Sequence, residues 1–101
     1  MVRTENIAIP EVFREDISRA VRILKEEGCS EIFLFGSGVT GKGRDGSDID
    51  LAIRGCPRDH FFHLLGRLLL ALEHPVDLVD LDTQDAFAQY LQKEGVLVRI
   101  G

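Results

Sequence analysis

A chain of 101 residues, 45% of them hydrophobic and 29% charged, is large enough for one core, too short for several and too apolar to stay disordered. The formal net charge of −5 excludes the broadly basic face that non-specific nucleic-acid binding requires, so no direct nucleic-acid contact is expected. No apolar run reaches membrane-spanning length and the N-terminus carries no signal-peptide h-region. A single unit over 1–101, cytoplasmic and without a membrane partner, is the expectation.

Met1 to Pro10 carries little information. From Glu11 onward Phe13, Ile17, Ala20, Val21 and Leu24 recur at helical spacing, with Gly28 placed to end the helix. Glu31 to Phe35 reads as a buried strand, and Asp48 to Arg54 as a second. Gly55-Cys56-Pro57 is a turn, after which Asp59 is placed to cap a helix whose stripe is Phe61, Leu65, Leu68, Leu69 and Leu72. Val76 to Leu81 predicts a third strand. Asp82 or Thr83 is placed to cap a last helix with Phe87, Tyr90 and Leu91 inward, closed by Gly95. Val96 to Ile100 reads as a terminal strand. The order α-β-β-α-β-α-β predicts an α/β fold with a small mixed sheet flanked by helices. Cys29 and Cys56 lack C-x-x-C spacing; reduced thiols are the plain reading, with a disulfide left open.

The chemistry is concentrated between the first two strands. Five glycines fall within the eleven residues from Gly36 to Gly46, with Ser37 at the loop mouth and Asp48 and Asp50 where the chain re-enters the sheet. Glycines let a backbone approach a ligand closely, and successive free N–H groups form an anion nest. On a strand, residues two apart share a face at roughly 6.5–7 Å between Cα atoms, a separation that suits carboxylates sharing hard cations. The second strand, its helix and the third strand form a crossover unit, which is right-handed with parallel strands. Parallel strands begin at the same end of a sheet. Asp77 opens the third strand and so sits beside Asp48 and Asp50, whereas Asp80 lies nearer the far end on the other face. Phosphate cradle plus paired carboxylates points to metal-dependent work on a nucleotide or another phosphate ester.

Gly36 to Lys42 also matches the start of a P-loop, G-x-x-x-x-G-K. Gly43 then stands where that motif needs Ser or Thr for Mg²⁺, and Gly43-Arg44-Asp45-Gly46 breaks the helix the loop should enter. The match is accidental. Gly36-Ser37, ten residues, then Asp48-Ile49-Asp50 instead resembles the G-S-x10-D-x-D pattern of the nucleotidyltransferase superfamily typified by DNA polymerase beta. The short length, Ser47-Asp48-Ile49-Asp50-Leu51 and Val76-Asp77-Leu78-Val79 resemble its minimal nucleotidyltransferase branch, over about Ile17 to Ile100.

That resemblance implies a nucleotidyltransferase fold with Asp48, Asp50 and Asp77 as catalytic acids and metal ligands. It implies Gly36, Ser37 and Gly38, with Lys42, Arg44 and Ser47, around the nucleotide. Members of the branch pair with a HEPN-domain toxin, and the antitoxin transfers AMP from ATP to a toxin tyrosine. The implied cofactor is Mg²⁺, with a two-ion site open, and the implied partners are ATP and a HEPN toxin. Homo-oligomerisation is left open. Relatives often carry a loop arginine in a Gly-Ser-x-Ala-Arg-Gly form, where this chain has Gly38, Val39, Thr40 and Gly41; Lys42 or Arg44 is the available positive charge. The alternative is an antitoxin that neutralises its partner by complex formation with weak catalysis.

Other residues have plainer readings. Ser47 is a turn-capping hydroxyl as readily as a ligand contact. His60 and His63, three apart, lack a third ligand, because zinc sites normally need three or four. His74 before Pro75 reads as structural, Leu68 to Leu70 as core with some surface left for a partner, and Asp80 as a solvated strand residue.

Overall fold

The computed structural model describes residues 2–3, 9, 11–36, 48–83 and 85–101. A 3-10 turn, Glu11–Phe13, leads into helix α1, Arg14–Glu26. The helix ends where Gly28 turns at φ +98°, a conformation glycine adopts without a Cβ penalty. Strands β2 (Glu31–Phe35) and β3 (Ile49–Arg54) follow, then helix α2 (Phe61–Ala71) and strand β4 (Val76–Asp80). A second 3-10 turn (Leu81–Thr83), helix α3 (Ala86–Lys93) and strand β5 (Leu97–Arg99) complete the order. The expected α/β architecture is present, with one addition. Val2–Arg3 forms a short strand, β1, parallel to β5, giving a five-stranded sheet in the order β1-β5-β2-β3-β4.

The sheet is mixed, as predicted. β2 and β3 are antiparallel, whereas β3 and β4 are parallel and joined through α2. The two faces carry different cores. Ile32, Leu34, Ile49, Leu51, Ile53, Val76 and Leu78 pack against the buried faces of α1 and α2, while Phe33, Ala52, Leu81 and Leu97 pack against Ala88 and Leu91 of α3. This alternation along each strand is the period of two that a sheet covered on both faces requires.

One buried polar residue fastens the first layer. Asp16 of α1 is 2% exposed; it accepts backbone N–H bonds from Glu73 and His74 and faces His74 Nδ1 at 2.8 Å. Burial raises its pKa, but the hydrogen bonds from His74 and Glu73 outweigh that and hold the carboxyl below its ordinary value. The structural reading of His74 is borne out, with Asp16 as the partner that sequence spacing did not disclose.

Several expectations are corrected. Cys29 and Cys56 form a disulfide rather than free thiols. The Ser30 N–H donates to the Arg54 carbonyl, which draws the turns before β2 and after β3 together and leaves the two Cα atoms 4.0 Å apart. Asp59 does not cap α2: it sits in the left-handed region at φ 60°, and His60 occupies the cap position with no side-chain bond. Asp85, not Asp82 or Thr83, caps α3 by accepting from the Ala88 N–H at 2.8 Å. Asp82 instead accepts from the Gly55 N–H, tying the end of β4 to the turn after β3. Phe87 and Tyr90 face outward, more than half exposed, because the sheet-facing positions belong to Ala88 and Leu91. Leu68 is core, whereas Leu69 and Leu70 are exposed along with Phe62. Among the described residues no helix is long and apolar enough to cross a membrane.

Candidate active site

The acids gather at the N-terminal ends of the parallel pair. Asp50 lies directly opposite Asp77 in the β3–β4 register, and Phe35 opposite Asp50 in the β2–β3 register. Residues in register on adjacent strands share a face, so Asp50 and Asp77 project together from the α3 side of the sheet. Asp48 precedes β3 and is exposed, while Asp50 is half-buried and Asp77 exposed. Asp80 pairs with Ile53 at the other end of the strand, away from the acids, as expected.

Electrostatics bind the three acids into one system. Burial, the negative charges of Asp77 and Asp48 and a carboxyl-to-carboxyl hydrogen bond with Asp77 raise the Asp50 pKa to about 6. Like charges at such range disfavour joint ionisation. Among the described residues no Lys or Arg makes an ion pair with any of the three. No three acidic, histidine or cysteine side chains among the described residues close around a single point.

Gly36 completes the described part of the site. It ends β2 at φ +71°, and a β-carbon there would collide with Oδ2 of Asp50. The glycine is therefore required twice over, by its backbone angle and by the carboxylate beside it. Ser37, Gly38, Lys42, Arg44 and Ser47, the remaining residues expected around a nucleotide, lie outside the described residues.

The donor set suits a hard divalent cation. Two adjacent carboxyls in register offer the oxygen ligands that Mg²⁺ takes from protein carboxylates. A neighbouring aromatic pair was not anticipated as part of the site: Phe35, opposite Asp50, meets half-exposed Phe87 edge-on with ring centroids 6.3 Å apart. The periodicity of α3 could not single out Phe87, since Phe87–Tyr90 and Ala88–Leu91 share the same spacing. A cavity of about 410 Å³ lies at the C-terminal ends of β3 and β4 beside Ile53, Asp80 and Asp82, and none of Asp48, Asp50 and Asp77 lines it. The acids are the better candidate, because Asp50 and Asp77 stand in register and Asp50 is perturbed by its acidic neighbours.

A sequence model of the family described as "Polymerase beta, Nucleotidyltransferase" matches residues 19–99. No curated protein matches the chain. Among solved structures, the crystal structure of a toxin-antitoxin with AMP-PNP is similar at 28% identity and TM-score 0.62, covering 82% of this chain and 69% of that one. The MntA-HepT toxin-antitoxin shares the fold at 24% identity and TM-score 0.59, over 83% of this chain and 69% of that one.

Proposed function

The chain belongs to the polymerase beta nucleotidyltransferase family, and from that membership we propose that it is the antitoxin of a MntA-HepT-like pair, transferring AMP from ATP to a hydroxyl of its toxin. The observation that carries the proposal is the pairing of Asp50 with Asp77 against a Gly36 that has no room for a side chain. Similarity to a toxin-antitoxin crystallised with AMP-PNP supports the nucleotide and the partner class.

In this reading Asp48, Asp50 and Asp77 hold Mg²⁺, which supplies neutralisation of triphosphate charge. Ser37, Ser47 and the backbone N–H groups of Gly36 to Gly38 receive the phosphates, and Lys42 or Arg44 provides positive charge. The acceptor is a tyrosine hydroxyl of a HEPN-domain partner. Its oxygen attacks the α-phosphorus, the bond to the β-phosphate breaks, and pyrophosphate departs. The Asp77 carboxylate orients that hydroxyl and accepts its proton. Transfer of this kind rests mainly on positioning and charge, which a domain of this size can supply.

The test is incubation with labelled ATP and Mg²⁺ together with a cognate HEPN-domain protein. The expected result is a gain of one AMP on a partner tyrosine, lost in the Asp48→Asn, Asp50→Asn double variant. A second reading, neutralisation by complex formation with weak catalysis, draws on the failure of the three acids to close around one point. It requires neutralisation to survive removal of all three acids.

A further inference from the structure

β4 is an edge of the sheet, and among the described residues no strand lies on its outer side. In the β3–β4 register the Ile49 N–H donates to the Pro75 carbonyl at 2.8 Å and Ile49 stands opposite Val76. Parallel pairing then turns the backbone groups of Pro75, Asp77 and Val79 toward β3 and those of Val76, Leu78 and Asp80 outward. Among the described residues no strand pairs with this outer row; the Asp80 carbonyl at its end accepts from the Thr83 hydroxyl at 3.0 Å, and the Val76 and Leu78 groups and the Asp80 N–H are left for a partner. An unpaired row of N–H and C=O groups is a template for another strand.

The edge also has a receptacle. A cavity of about 290 Å³ wraps it, with Phe61 and Leu78 on one face of the sheet and Val79 and Phe87 on the other, bordered by Asp80 and Asp85. Val79 is two residues from Asp77 on the same face, so the cavity begins roughly 7 Å from the acid assigned to the acceptor hydroxyl. Among the described residues Asp77, Asp80 and Asp85 form no ion pair with a Lys or Arg. The chemistry of an occupant follows: main chain in extended form, an apolar side chain for the cavity and a cationic one for the acids.

We propose that an extended, basic segment of the acceptor protein adds to β4 as a sixth strand, seating an apolar side chain between Val79 and Phe87 and delivering its neighbourhood to Asp77. This rests on the reading that the acceptor is a protein. Edge addition lets the domain hold an acceptor through its own main chain. Main-chain bonds give affinity, and the cavity and acids give direction.

The test measures amide hydrogen exchange, resolved by residue, on the ¹⁵N-labelled chain alone and bound to the HEPN-domain protein used in the transfer assay, in parallel with AMP transfer. The expected result is that Leu78 and Asp80 amides slow at least tenfold on binding, while those of Asp77 and Val79, already bonded to β3, change little. Asp80→Asn keeps an oxygen for the Asp82 N–H bond but removes charge, and should weaken the complex roughly two- to fivefold, less so at high salt. Transfer with unchanged edge amides overturns strand addition and leaves the proposed activity standing. Absence of both transfer and complex overturns the activity and this inference together.

Discussion

The Asp50 carboxylate occupies the space that a side chain on Gly36 would need. Strand end, glycine and acid are thus one unit, and the first expected outcome tests it. Gly36→Ala must place a methyl group against Oδ2 at a left-handed backbone angle, a strain on the order of 1–2 kcal/mol. We expect a melting temperature lower by several degrees and a fall in AMP transfer of more than tenfold, since the carboxylate has to move. Calorimetry beside the transfer assay checks both.

Asp50 predicts a pH dependence of stability in the metal-free protein. Its pKa in the fold, about 6, lies above the ordinary 3.8, so the folded state favours the protonated form. That contribution is fully present below the ordinary value and is lost as pH rises through 6. Asp50→Asn removes the penalty and should be more stable than the parent at pH 7.5, by on the order of 1 kcal/mol after solvent screening, with no difference near pH 4. Melts between pH 4 and 8 decide this. Mg²⁺ should stabilise the parent above pH 6 and leave the variant unmoved, and chelation should reverse the gain.

Asp16 predicts the opposite slope. Its carboxyl is held low, so its contribution is present above the unfolded value near 3.8 and declines as pH falls through the lower folded value. Asp16→Ala strands the Glu73 and His74 N–H groups and should cost about 2–4 kcal/mol at neutral pH, with a flatter acid limb in denaturation. Urea melts at pH 7 and pH 3 are the measurement; equal losses at both would refute the assignment.

The disulfide closes a sequence separation of 27 residues. Chain-entropy reasoning assigns such a crosslink about 3 kcal/mol. Cys56→Ser, or reduction, should therefore lower the melting temperature markedly, and mass spectrometry of the alkylated chain before and after reductant checks the linkage itself.

The strands and helices were legible because apolar spacing and glycine punctuation report directly on burial: Ile32 to Leu34 and Leu51 to Ile53 are core as read. The position of Asp77 was legible too, since a crossover joins parallel strands and parallel strands begin at the same end of the sheet. What escaped depends on tertiary neighbours. Helical spacing in α3 fits Phe87–Tyr90 as well as Ala88–Leu91, and only the sheet chooses. Asp85 and Asp82 have equal capping propensity, and the Gly55 N–H claims one of them. Cys29 and Cys56 lie far apart along the chain, and nothing local announces that Ser30 bonds to Arg54. β1, with two residues, is too short to leave a period.

The clamp between Asp16 and the Glu73–His74 turn has one more implication. Only two residues separate His74 from Asp77, and the Pro75 carbonyl already holds Ile49. A helix on the far side of the sheet therefore times the start of β4. Were that anchor to let the chain advance by a single residue, Asp77 would swing to the opposite surface and Leu78 would confront Asp50. Alignment of the acid pair is governed from behind, by a carboxylate in the opposite layer.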